Sequence, residues 1–173
     1  MLYQESKQYL LGKLKDAGLK SKPYTTLKAL EKSQESHMGA VLFDSEALRR
    51  NGSKKQYRDQ EGAQKKRRKV FDRELSFTVV IGDYTDDAVE TLYEAFVGSL
   101  DRGIYVDGDF VPIEAEGADW VDKDDSILKA QVSVQVKITF YGGFYRDTGF
   151  AKIAEIDVES VSKNNGKELA DGK

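Results

Sequence analysis

The segment from Leu128 to Phe140 constrains the fold more than any other. Leu128, Ala130, Val132, Val134, Val136, Ile138 and Phe140 alternate with Lys129, Gln131, Ser133, Gln135, Lys137 and Thr139. Strict alternation of this kind puts one set on each face of a strand. At ~3.3 Å per residue the strand is about 40 Å long, against a usual length of roughly 17–20 Å. A small domain rarely needs a strand that long. Its polar face of Ser, Thr and Gln with few charges suits partial cover by another chain. Gly142-Gly143 predicts its end.

A second alternating run supplies a partner for it. Phe71, Leu75, Phe77, Val79 and Ile81 share one face, and Asp72, Glu74, Ser76 and Thr78 the other, until Gly82. Thr85 then has the character of an N-cap, with Asp86 and Asp87 in the first turn, where the helix dipole favours negative charge. Ala88, Val89, Leu92, Tyr93, Phe96, Val97 and Leu100 form the apolar stripe of a helix that should end near Arg102-Gly103. Ile104 to Val121 reads as a hairpin turning at Asp107-Gly108, with Pro112 marking an edge strand or a bulge.

Towards the N-terminus, Leu2, Tyr3, Leu10, Leu14 and Ala17 recur at helical spacing, so Met1 to Gly18 is predicted to be an amphipathic helix. Lys22-Pro23-Tyr24 is an extended link, and a short helix is expected within Thr25 to Glu35. Gly39 to Phe43 reads as a short buried strand that Asp44 to Asn51 can continue, before a turn at Asn51-Gly52. The polar stretch after it is either a long flexible loop or the tip of an extended hairpin. Ala151 to Val158 can form a last strand, and the residues from Val161 on a frayed polar tail. The expected fold is α+β: a mostly antiparallel sheet with long strands, and an N-terminal and a central helix packed on one face. It forms one domain over residues 1–160 with a long basic loop at 50–69, and a polar C-terminal tail over 161–173.

The chain has 173 residues, enough to bury roughly two thirds of its unfolded surface. It has no cysteine, which excludes disulfides, thiolate metal sites, iron–sulfur clusters and Cys nucleophiles. His37 is the only histidine, has no second ligand at a metal spacing, and reads as an exposed loop residue. The DKDDS segment from Asp122 has the oxygen-rich texture of calcium loops without their glycine and closing glutamate. No phosphate cradle and no nucleophile motif is present. The expectation is a protein that is not an enzyme and uses neither cofactor nor metal. No apolar run approaches the ~20 residues that span a bilayer, and no signal-peptide core opens the chain, so a soluble intracellular protein is expected.

The formal net charge of −3 hides two opposed blocks. Arg49 to Arg73 holds eleven Lys or Arg against three acids, and Asp83 to Asp125 holds fourteen acids against two Lys or Arg. Such opposition steers association and fixes orientation between copies. The sharpest local feature is Lys65-Lys66-Arg67-Arg68-Lys69. With Asp86 and Asp87 of the acidic block, these five residues are the candidate partner-binding set. Contact with protein is favoured; the alternative is a nucleic-acid-binding module that uses the same run on phosphate backbones.

Three segments together resemble a known family. MLYQESKQYLLGKLKDAG supplies an N-terminal helix. KVFDRELSFTVVIGD followed by TDDAVETLYEAFVGSL supplies a strand leading into a central helix, and SILKAQVSVQVKITFYGGFYRD supplies the long strand. In this order they are similar to the tail terminator proteins of long-tailed bacteriophages and of contractile phage-tail-like particles. The resemblance covers about Met1 to Asp147, lies in segment texture rather than in a short motif, and transfers no site residue. It implies a homo-oligomeric, hexameric ring that caps the tail tube and offers a docking surface to neck or head. Its partners would be itself, the tail tube protein, and sheath and neck proteins. It would reside in the bacterial host cytoplasm during assembly and then in the virion or particle.

Overall fold

A computed structural model describes residues 1–33, 35–122 and 132–150. The long antiparallel pairing anticipated from alternation is its spine. Strand β3 (Gln64–Asp83) runs beside β6 (Val132–Gly149) from Lys65↔Gly149 to Asp83↔Val132. On the other side of β3 lie β1 (Met38–Arg50) and β2 (Lys54–Arg58), end to end along the same edge and joined by the Asn51–Ser53 corner. Beyond β6 lies β5 (Asp109–Asp122), whose first residues pair with β4 (Gly103–Val106). All strand pairings of this six-stranded sheet are antiparallel, and with its helices the fold is α+β.

Two helices cover one face. Helix α1 (Leu2–Asp16) buries Leu2, Leu10 and Leu14, and α3 (Asp86–Gly98) buries Val89 and Phe96. They meet Val41, Leu75, Phe77, Val79, Ile81, Val134, Val136, Ile138 and Phe140 in one core. Its centre is aromatic: Phe77 meets Phe140 edge-on at 5.9 Å, and Tyr3 and Phe43 pack round Phe77. On the opposite face α2 (Leu27–Glu31) covers one end, where it sets Leu30 on Met38, Ala40 and Val80. Lys13 locks α1 to the loop after α3, with Nζ 2.9 Å from Asp101 and a second bond to the Ser99 carbonyl. Tyr9 donates to the same Asp101 carboxylate.

The local signals act as physical chemistry demands. Thr85 accepts from the Ala88 amide as the N-cap of α3, which stops at Gly98, short of the end expected near Arg102-Gly103. Asp107 and Gly108 both have positive φ, 51° and 80°, so the β4–β5 hairpin closes on a primed turn matched to strand twist. Pro112 lies one residue before β5 begins its ladder with β6; the bulge of β5 is elsewhere, between Ala115 and Gly117.

Three expectations change. The glycine pair does not end the long strand: β6 passes through Gly142-Gly143 to Gly149, because β3 continues beside it. The two glycines instead admit close neighbours. A Cβ on Gly142 would collide with Leu2 of α1, and one on Gly143 with the Lys69 stem. The stretch 50–69 is not a loop. Residues 54–58 and 64–69 are strands closed by a turn at Asp59–Ala63, so the hairpin alternative holds. His37 is half-buried and partnered: Nδ1 lies 2.7 Å from Asp83 and Nε2 accepts from the Lys20 amide. The start of the long alternating segment, the DKDDS acids after Asp122, the expected strand 151–158 and the tail 161–173 lie outside the described residues. Among the described residues, no helix is long and apolar enough to cross a membrane.

Phe77 is fully buried at the meeting point of both strands and α1. Truncating it in Phe77→Ala should cost about 3–5 kcal/mol, read as a lowered urea midpoint with an unchanged slope.

Candidate functional site

Beyond the last helical contact at Gly142, the sheet continues as a bare three-stranded arm of β2, β3 and β6. Its length past that point is roughly 20 Å at ~3.3 Å per residue. It has little apolar surface to hold it, so three strands alone would be marginal. Its order comes from charge.

Residues directly opposite one another in a sheet share a face. In the arm, Lys55, Arg67 and Asp147 form one cross-strand row, and Tyr57 and Lys65 belong to the next row on that face. Arg67 is the hub. Its Nε and Nη2 grip both oxygens of Asp147 at 2.8 and 2.7 Å, and Nη1 reaches Asp109 at 2.7 Å and the Asp107 carbonyl at 3.2 Å. Planar, bidentate pairing is what a guanidinium does best. Asp109, whose side chain is only 6% exposed, also takes the Lys55 ammonium. Tyr57 donates to Asp147 at 3.0 Å, and its ring and that of Tyr145 flank Arg67 at 5.0 and 5.7 Å. Hydrogen bonding to Arg67 holds the Asp147 carboxyl below the usual aspartate range, with Tyr57 adding to it. The network ties the β4–β5 turn to the arm.

The remaining members of the basic run divide by parity. Lys65 lies 3.6 Å from Asp59. Lys69 lies 2.7 Å from Asp72, whose carboxyl is pushed down by that contact and by Asn51. Lys65, Arg67 and Lys69 are therefore neutralised within the chain. Lys66 and Arg68 have no such partner among the described residues. They point to the other face, where Lys54, Arg68 and Arg146 stand directly opposite one another in one row, and Gln56, Lys66 and Thr148 in the next. Arg58 extends the same face. All five cations of this face are exposed. Among the described residues they make no ion pair; Lys66 alone has a partner, its Nζ 4.3 Å from the Phe150 ring centre.

Asp86 and Asp87 lie far from this arm, exposed in the first turn of α3. With Glu90 and Glu94 they form an acidic outer stripe on a helix that carries no Lys or Arg. The structure does not bring the two halves of the predicted set together. Sequence reasoning took the five-residue run as one patch and missed Lys54, Arg58 and Arg146, which only strand register gathers. The signal available was the alternation of the run itself, once it is read as a strand.

A cavity of about 540 Å3 opens at the root of the arm, between Leu2 and Tyr3 on one side and Arg67, Arg73, Phe144 and Tyr145 on the other. Arg73 lines it, bound to Glu46 at 2.6 Å and stacked 4.8 Å from the Phe144 ring.

Compared with protein-family models and with curated proteins, the chain matches none.

Removing the buried carboxylate in Asp109→Ala leaves Lys55 and Arg67 sharing fewer anions, and should cost about 2–3 kcal/mol by urea denaturation. A carboxylate whose pKa is lowered by folding stabilises above its unfolded value and loses that contribution as pH falls through the folded one. Acidification to below the usual aspartate range should therefore release Arg67 from Asp147 and lower the protection of the amides at 65–69 relative to their intrinsic exchange rates. In Asp147→Asn that protection should already be low at neutral pH and change less on acidification.

Proposed function

We propose that this protein is a structural ring subunit: a tail terminator or tail-completion protein of a phage-type tail, built as a homo-oligomer, with six copies expected. The observation that carries the reading is the arm, a long extension of the sheet on whose outward face none of the described residues forms a layer. A strand pair this long serves little purpose inside one small core. It makes sense where neighbouring subunits lie against it.

The sheet edges support the same reading. Among the described residues, nothing pairs with the outer edge of β1 from Asp44 to Arg50, or with that of β5 from Glu114 to Asp122. Open edges of this length are templates for another chain. A ring of identical copies needs two different surfaces that meet head to tail and close. In such a ring one rim matches the last ring of the tail tube and the other lacks the surface a further tube ring needs, so polymerisation stops there. Its partners are itself, the tail tube protein, and sheath and neck proteins. It acts in the host cytoplasm during assembly and then in the particle, by geometry rather than by chemistry.

A second reading, binding to a nucleic-acid backbone, is favoured by the arm's exposed cations that have no ion pair among the described residues. It predicts affinity that falls steeply with salt.

Size-exclusion chromatography with light scattering, on the protein alone and with tail tubes assembled from a co-encoded tube protein, tests the first reading. A closed oligomer, alone or on tube ends, and tubes that cease to grow are the expected result. A chain that stays monomeric in both settings and leaves tube growth unchanged overturns it.

A further inference from the structure

The outward face of the arm carries a charge repulsion that none of the described residues relieves. Lys54, Arg68 and Arg146 are cross-strand neighbours in one row. Like charges directly opposite each other weaken a sheet. Lys66 and Arg58 add two more cations, and among the described residues no acid answers them on that face. On the opposite face of the same strands every cation of the run is answered, by Asp59, Asp72, Asp109 or Asp147. Among the described residues, the acids that pair with the arm's cations all serve this one side of it.

Helix α3 shows the converse. Asp86 and Asp87 sit in its first turn, where the helix dipole explains them. Glu90 and Glu94 lie beyond that turn. They continue the stripe at four-residue spacing, so Asp86, Glu90 and Glu94 repel along the helix. All four acids are exposed, and among the described residues none has an ion pair.

These two surfaces cannot meet within one molecule. The arm lies at the Gln64 end of β3, and α3 follows directly on its Asp83 end. From Lys66 to Asp83 the strand spans up to roughly 55 Å at ~3.3 Å per residue. A basic surface at one end and an acidic surface at the other are the two halves of a head-to-tail contact.

We propose that the outward face of the arm, Lys54, Arg58, Lys66, Arg68 and Arg146, docks on the acidic stripe of α3, Asp86, Asp87, Glu90 and Glu94, of a second copy of this chain. The inference rests on the reading of the protein as a self-assembling subunit and names the contact that orders the copies. Docking relieves the repulsion on both surfaces at once. A nucleic-acid backbone would relieve only the arm and would leave the α3 stripe unanswered, in a chain whose net charge is −3. Lys65, Arg67 and Lys69 take no part, because they hold the arm together from its other face.

Sedimentation velocity at low and high salt, with two charge-reversed variants, tests the contact. One variant is Lys66→Glu with Arg68→Glu, and the other is Glu90→Lys with Glu94→Lys. The wild type should associate at low salt and dissociate as salt rises. Each variant alone should associate about tenfold or more weakly. An equimolar mixture of the two should associate again, since a reversed arm meets a reversed helix. Matching circular dichroism spectra exclude unfolding as the cause. If a reversal does unfold the chain, the neutral pairs Lys66→Gln with Arg68→Gln and Glu90→Gln with Glu94→Gln should each weaken association in the same direction.

A wild type that stays monomeric at low salt overturns the contact, as does a mixture that fails to recover. A labelled DNA duplex bound by the wild type and by the helix variant but not by the arm variant, with association unchanged by any reversal, overturns it in favour of a phosphate-binding face. Tube capping separates this contact from the function proposed above. Arm-reversed protein that associates and caps normally ends the contact and leaves the ring. Wild-type protein that associates through these residues but never caps a tube ends the terminator reading and leaves the contact.

Discussion

The antiparallel ladder between β3 and β6 is the constraint from which the rest of the molecule follows. In its helix-covered half, alternate side chains of both strands, from Leu75 to Ile81 and from Val134 to Phe140, enter the core. One slip in the ladder, between Lys69 and Phe71, marks the passage into the arm. Register there decides which residues of the basic run face Asp109 and Asp147 and which face outward. A shift of one residue would exchange the two sets.

The arm therefore has two electrostatic characters on two faces a few ångströms apart. On one, Arg67 and its acids replace the apolar core that a sheet of three short segments would otherwise need. Asp109 is buried, and charges taken out of water are tolerable only when each is fully answered. On the other, none of the described residues answers the neighbouring cations. Held by its own ion pairs, the arm can present that unanswered face as a fixed surface and not as a fluctuating loop.

The same logic joins the fold to the proposed assembly. A subunit that is to be ordered head to tail needs distinct surfaces, rigidly separated. Here the separation is the length of β3, and the rigidity comes from the core under α1 and α3. The Lys13–Asp101–Tyr9 cluster fixes α1 to the end of α3, so the acidic stripe is anchored to the core as firmly as the arm is.

Much of this was legible in the sequence. Alternation in 71–81 and 132–140 specified two half-buried strands, and the Thr85 cap with its apolar stripe specified α3. The Asp107-Gly108 turn specified the hairpin, and together they specified an α+β fold. These signals are local: they depend on period and on backbone preference, which a sequence carries residue by residue. Tertiary structure alone decided that β6 runs through Gly142-Gly143, because a paired neighbour outweighs the weak strand preference of glycine. It also decided that His37 is held by Asp83. Above all it divided Lys65-Lys66-Arg67-Arg68-Lys69 into inward and outward sets and joined the outward one to Lys54, Arg58 and Arg146. Charge composition is additive along a chain. Which charges are neutralised depends on cross-strand register, and that is fixed only when distant segments pair.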